Sequence, residues 1–118
     1  TWTKGRLTLL GDAAHQMLPH LGQGANQAIE DGMALAVILS GTDRMSVPEA
    51  LLAYEKLRRE RVADVQKGAR RNGLRVDSMS EYTDQRLRDA ELSKHAEFRK
   101  ELYAYDVFPI AKAVLASL

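Results

Sequence analysis

The chain has 118 residues, with 17 Lys and Arg against 16 Asp and Glu, a formal charge of +1 and no cysteine. That balance gives no reason to expect a nucleic-acid or acidic-lipid partner, and the missing thiols exclude a disulfide scaffold, a thiolate nucleophile and a Cys-ligated metal. The longest apolar run, Met33 to Leu39, falls far short of the ~20 residues that span a bilayer, and the opening Thr1-Trp2-Thr3-Lys4 is not a signal peptide, so a cytoplasmic location is expected.

In chain order, Arg6-Leu7-Thr8-Leu9-Leu10 reads as a short strand halted by Gly11-Asp12. Apolar residues on both sides of its alternation suit an inner strand of a parallel sheet. No partner strand is evident in the remaining sequence, and a lone strand cannot satisfy its own backbone groups, so the chain is expected to be cut from something longer. A loop punctuated by Pro19, Gly22 and Gly24 follows. The spacing then predicts a helix from about Gly24 to Leu39, with a narrow small-residue stripe at Ala25, Ala28, Ile29, Gly32, Met33, Ala36, Val37 and Leu39. Ser40-Gly41-Thr42-Asp43 stops it. A second helix begins at Pro48-Glu49 with Ser46 as N-cap, buries Leu51, Tyr54, Leu57, Val62, Val65 and Ala69, and fades near Asn72-Gly73. A third, mixed-charge helix covers about Thr83 to Leu102, and a last short one holds Ile110 to Leu115 from around Pro109. The expected chain is mostly α, with one strand and three to four helices.

The chemistry concentrates between Gly11 and Asp31, in the run GDAAHQMLPHLGQGANQAIED. A strand ending in Gly-Asp places a short carboxylate at the carboxyl edge of a sheet, where ligands of open α/β folds bind. Gly22 and Gly24 let backbone approach a ligand closely at the start of a helix, whose first amides have no partner within the helix. Such an end attracts anions. The glycines do not fit a phosphate loop: Gln27 stands where a dinucleotide fingerprint needs its third Gly, and no Gly-Lys-Ser/Thr exists. The residues themselves point only to a polar ligand with an anionic end.

Gly11-Asp12-Ala13-Ala14-His15, Pro19, Gly22-Gln23-Gly24-Ala25-Asn26 and Ala28-Ile29-Glu30-Asp31 together resemble the second flavin-contact motif of the aromatic-ring flavoprotein monooxygenases. Trp2 and Gly5-Arg6-Leu7 match the usual lead-in, and Ala50-Leu51-x-x-Tyr54-Glu55-x-x-Arg58-x-x-Arg61 resembles the following helix. Tyr103-Ala104-Tyr105-Asp106 is similar to the closing segment of the salicylate-hydroxylase-like members. The resemblance implies an α/β, Rossmann-like FAD-binding fold, of which residues 1–40 complete the FAD-binding domain and 41–118 form a C-terminal helical segment. It implies that Asp12 accepts hydrogen bonds from the ribityl hydroxyls of FAD and that Pro19 sits beside the isoalloxazine. The amides near Ala25 and Asn26 then point at the N1–C2=O edge, approached past Gly22 and Gly24, with Gln23 and Asn26 as candidates for side-chain contacts. Glu30 and Asp31 are expected in the first turns of the helix, fixing it rather than touching FAD. In that family NADH or NADPH reduces the flavin, which then activates oxygen to attack an electron-rich ring. The N-terminal dinucleotide fingerprint, the middle Asp-Gly motif and the substrate-binding sheet are absent from this sequence, so the fragment is expected to bind FAD poorly and to catalyse nothing by itself.

No catalytic residue is assigned. His20 is the one candidate for reaching substrate, whereas His15, just after a turn, is expected in packing or an internal hydrogen bond. His15, His20 and His95 show no metal-ligand spacing. Between Glu55 and Arg71 lie seven basic residues against three acids. This reads as a solvated helix face, with Arg58 or Arg61 available to pair with an acid of the flavin domain. The helices after Gly41 have the missing domains or a second copy as prospective partners. Two alternatives stay open: a helical interaction module that keeps the motif without FAD, and a relative acting on a non-aromatic substrate by epoxidation.

Overall fold

The computed structural model describes residues 1–78 and 84–118, without the side chains of 75–78. Two short strands, β1 (Thr3–Lys4) and β2 (Leu7–Thr8), pair antiparallel with Thr3 opposite Thr8 and Lys4 opposite Leu7. The strand expected over Arg6–Leu10 is thus shorter, and it is neither lone nor in a parallel sheet. The cause is the Gly5-Arg6 turn: Gly5 takes φ 60°, the left-handed conformation that two-residue hairpins need at their first central position. The Leu9 amide donates to the Trp2 carbonyl and extends the pairing. Glu55 pins the hairpin to the long helix by accepting from the Thr3 amide at 2.8 Å.

The chain then forms a four-residue helical turn, α1 (Asp12–His15), and a 3-10 turn at Pro19–Leu21 before α2 (Gly24–Leu39). The buried residues of α2 are Gln27, Asp31, Ala34 and Ile38. The small-residue stripe lies elsewhere: Ile29 is 67% and Met33 44% exposed, and Ala25, Gly32 and Ala36 are exposed too. Gln27 and Asp31 tolerate burial because every polar group they bring is paired, as described below.

α3 (Val47–Ser78) starts on a capping box. The Ser46 amide and hydroxyl donate to Glu49 Oε2 at 2.8 and 2.7 Å, while the Glu49 amide donates to the Ser46 hydroxyl at 3.5 Å. Its inner stripe runs Leu51, Tyr54, Glu55, Arg58, Val62, Val65, Ala69 and Asn72, with Leu57 half-buried. The helix does not fade at Asn72-Gly73 as expected. Both residues are buried against the 3-10 turn, where Asn72 Nδ2 donates to the His20 carbonyl at 2.7 Å.

α4 (Gln85–Ala104) opens on Asp84, whose side chain accepts from the Arg86 amide; the expected start at Thr83 lies outside the described residues. α5 (Val107–Ser117) begins earlier than Pro109 because Asp106 caps it, accepting from the Phe108 amide at 3.0 Å. Ala34 and Ile38 of α2, Ala50 and Tyr54 of α3, and Val107 and Ala111 of α5 make the core, where each fully buried Ile or Val contributes roughly 1.5–3 kcal/mol. Gly41 lets α5 close on the end of α2, since a Cβ there would run into Leu115. The molecule is elongated, 60 × 24 × 17 Å. No helix of the described residues is long and apolar enough to cross a membrane.

Candidate functional site

Two kinds of residue meet between Gly11 and Asp31: an exposed row facing outward and a buried set holding it in place. The exposed row begins with Asp12, the first residue of α1. It lies beside the start of α2, where the position a Cβ would take on Gly24 is 3.9 Å from Asp12 Oδ1. Gln23 precedes α2 without a side-chain cap, so the first amides of the helix keep their donors unsatisfied by side chains. An acceptor and a set of donors thus stand side by side, joined across a residue with no side chain. That pairing fits a ligand carrying hydroxyls and an electron-rich edge, as a flavin with its ribityl chain does.

The remaining expected contacts fall around this pair. Pro19 and His20 open the 3-10 turn and are exposed, while Gly22 closes it at φ 62° with its amide donating to the Pro19 carbonyl. Ala25 and Asn26 are exposed in the first turn of α2. Gln23 is buried, and its backbone carbonyl accepts from the Gln27 amide at 2.9 Å. An open groove of about 220 Å³ runs from Gln23 and Asn26 past Ile29 and Glu30 to Leu102, Tyr103 and Tyr105. The His20 ring packs on α3, where a Cβ on Gly73 would stand 2.6 Å from its Cδ2.

The buried set centres on Asp31, which is fully buried. Its Oδ2 accepts from the Gly11 amide at 2.9 Å and from His15 Nε2 at 2.5 Å; its Oδ1 accepts from Arg58 Nε at 2.7 Å. A carboxylate only accepts, so His15 Nε2 carries the proton, and Nδ1 has no partner among the described residues. Arg58, also fully buried, donates from Nη1 to Glu30 Oε2 at 2.7 Å and from Nη2 to Gln27 Oε1 at 2.8 Å. Burial works against its charge, but Asp31 and Glu30 outweigh burial and hold the guanidinium proton more tightly than usual. Tyr54 donates to the Leu9 carbonyl, and burial, reinforced by the Asp31 charge, pushes its phenol well above the ordinary range. Arg61 donates to Glu30 at 3.5 Å and to the Leu102 carbonyl at 2.9 Å, and its guanidinium lies over the Tyr105 ring, 4.0 Å from the ring centre.

His15 therefore sits in an internal hydrogen bond, as expected. The solvated face expected from Glu55 onward fails at Glu55 and Arg58, which are buried; Arg58 and Arg61 both take the other course and pair with acids of α2. Glu30 and Asp31 lie in the second turn of α2. They hold the helix through side-chain bonds to Gly11 and Arg58 rather than through the helix dipole. Two residues have roles that the sequence does not indicate: Gln27 stands out there only as a departure from the dinucleotide fingerprint, and Gly73 only as the end of a helix. The other basic residues of the Glu55–Arg71 stretch, Lys56, Arg59, Lys67, Arg70 and Arg71, are solvated. Among the described residues no three His, Asp or Glu side chains gather as a metal site.

Residues 1–69 match a family model described as an FAD binding domain. The chain is 54% identical over 78 residues to an FAD-dependent monooxygenase of an Aspergillus species, covering 64% of this chain and 18% of that protein. It is 40% identical over 111 residues to a 3-amino-4-hydroxybenzoate 2-monooxygenase of Streptomyces platensis, covering 92% of this chain and 28% of that protein. To an FAD-dependent monooxygenase of Diaporthe leptostromiformis it is 38% identical over 118 residues, 99% of this chain and 32% of that protein. The chain thus spans 18–32% of the length of these relatives.

Proposed function

We propose, from the premise that this chain belongs to the FAD binding domain family matched by its residues 1–69, that it is the flavin-edge part of an FAD-dependent monooxygenase that hydroxylates a small aromatic substrate with NADH or NADPH. One observation carries the reading: the Asp12 carboxylate meets the uncapped first turn of α2 across Gly24. When bound, FAD supplies the redox and oxygen chemistry. The chain's own residues bind and orient it. Asp12 would hold the ribityl hydroxyls, and hydrogen bonds to a charged acceptor are worth ~1.5–3 kcal/mol each. The amides of Ala25 and Asn26 would hold the N1–C2=O edge, where negative charge gathers on reduction, so the start of α2 favours the reduced flavin. Gly22 and Gly24 keep side chains out of that approach. Pro19 would border the ring, with His20 beside it, and Asn26 adds a polar side chain at the same turn while Gln23 shapes it from inside.

The aromatic substrate class draws support from the printed name of the Streptomyces relative, which specifies an aminohydroxybenzoate. Ile29 and Met33 on α2, together with Leu9 and Leu10, are exposed, which supports residues 1–40 packing there against the rest of an FAD-binding domain. The test uses the full-length protein. It is expected to purify with a flavin absorbance spectrum and to oxidise NADH or NADPH when an aromatic substrate is added. Asp12→Ala is expected to weaken FAD binding at least about tenfold, the equivalent of roughly one charged hydrogen bond. Unchanged FAD affinity would sink the role given to Asp12.

A further inference from the structure

Asp31 has both carboxylate oxygens occupied by fixed donors. The two on Oδ2, the Gly11 amide and His15 Nε2, come from the two ends of α1, the turn on which Asp12 stands first. Gly11 bends the chain at φ 59°, and its bond to Asp31 holds that bend. The other oxygen, Oδ1, is held by Arg58 Nε. A carboxylate gripped on one oxygen can still pivot about its side-chain bonds; gripped on both, its plane is set. Arg58 is in turn immobilised by Glu30 and by the side chain and carbonyl of Gln27. Its planar fork reaches all of these at once, which the single nitrogen of a lysine cannot do.

We propose that Arg58 is a positioning residue for the flavin contact: through Asp31 it fixes the α1 turn and thereby aims Asp12, although Arg58 sits on α3 and is sealed from solvent. This rests on the reading of Asp12 as the ribityl acceptor.

The experiment measures FAD dissociation constants of the full-length holoenzyme for the wild type, Asp12→Ala, Arg58→Lys and the double variant. Arg58→Lys is expected to weaken FAD about tenfold, comparable to the loss of one charged hydrogen bond. In the Asp12→Ala background the same change is expected to matter less than about twofold, because the group being aimed is gone. If the two losses multiply in full, Arg58 does not act through Asp12 and the proposal is overturned while the reading of Asp12 stands. If Asp12→Ala alone leaves FAD binding intact, that reading fails and takes the proposal with it. Glu49→Ala, which breaks the capping box at the start of α3, is the control: it should lower the melting temperature and leave FAD affinity unchanged. An equal loss of FAD affinity in Glu49→Ala would assign the effect to general destabilisation and overturn the proposal. Asp31→Asn, taken through the same cycle, gives the answer should Arg58→Lys fail to fold.

Discussion

Arg58 on α3 and Asp31 on α2 share a 2.7 Å hydrogen bond with neither side chain exposed to solvent. Removing Arg58 leaves the buried Asp31 carboxylate held only by the Gly11 amide and His15, and a buried charge that loses its counter-charge costs ~3–5 kcal/mol. Arg58→Met is therefore expected to lower the unfolding free energy by about that amount. Combined with Asp31→Leu, the total loss should fall clearly short of the sum of the single losses, because the pair is lost together. Urea unfolding of the four proteins checks this. Additive losses would mean that the two charges do not depend on each other.

Acid is expected to weaken the attachment of the hairpin. Burial pulls the Glu55 carboxyl upward, but the hydrogen bonds from the Trp2 and Thr3 amides and from the hydroxyls of Thr3 and Thr1 outweigh it, leaving it below the usual 4.5. A carboxyl lowered in the folded state contributes stability that is present above its unfolded value and is lost as the pH falls through its folded value. The melting temperature of the wild type should therefore drop more steeply below about pH 4.5 than that of Glu55→Gln. Parallel pH profiles would show that Glu55 contributes nothing to this dependence.

Replacing a helical glycine by alanine ordinarily stabilises by up to ~1 kcal/mol. Gly73 should reverse that sign, because the added Cβ would stand 2.6 Å from Cδ2 and 2.7 Å from Nε2 of the His20 ring. Gly73→Ala is expected to cost roughly 1–3 kcal/mol, the range for overpacking. Adding His20→Ala should recover most of the loss. Thermal unfolding of both variants decides it, and an unrescued double variant would place the strain elsewhere.

On the proposed reading, the outer side of α2 is covered by the remainder of a longer protein. Ile29→Lys should leave the melting temperature of the isolated 118-residue chain nearly unchanged, since Ile29 is 67% exposed there. In the full-length protein the same change is expected to cost about 1.5–3 kcal/mol, the value of a buried Ile. Leu52→Lys, at a position 56% exposed on α3, provides the comparison. Equal effects in the short and long proteins would leave α2 uncovered in both.

The helices were largely legible in the sequence because their signals are local: the Ser46–Glu49 box, the Ser40-Gly41 stop, and the stripe from Leu51 to Ala69. The inner side of α2 was not legible. Hydrophobic spacing selects Ile29 and Met33, yet the buried line runs through Gln27 and Asp31. Their burial depends on Arg58, 27 residues beyond Asp31, and no local pattern encodes a partner at that distance. The hairpin escaped for the opposite reason: each strand is two residues long, too short to show an alternation. Gly73 misled because a glycine that ends a helix and one that admits a neighbouring ring look the same in sequence. Of the candidate site, the exposed row from Asp12 to Asn26 could be named from the motif, whereas the buried scaffold behind it needed the third dimension.

The Asp31 anchor reaches back twenty residues to Gly11 and sixteen to His15. One residue added to or removed from α2 ahead of Asp31 would swing its carboxylate about 100° around the helix axis, out of reach of both donors and of Arg58. The stretch from Gly24 to Asp31 therefore works as a ruler of fixed length, and only the surface turn before it has slack to absorb an insertion. Anyone grafting this motif into a different scaffold would have to transplant the arginine of α3 along with it, because the portable unit is discontinuous in the chain.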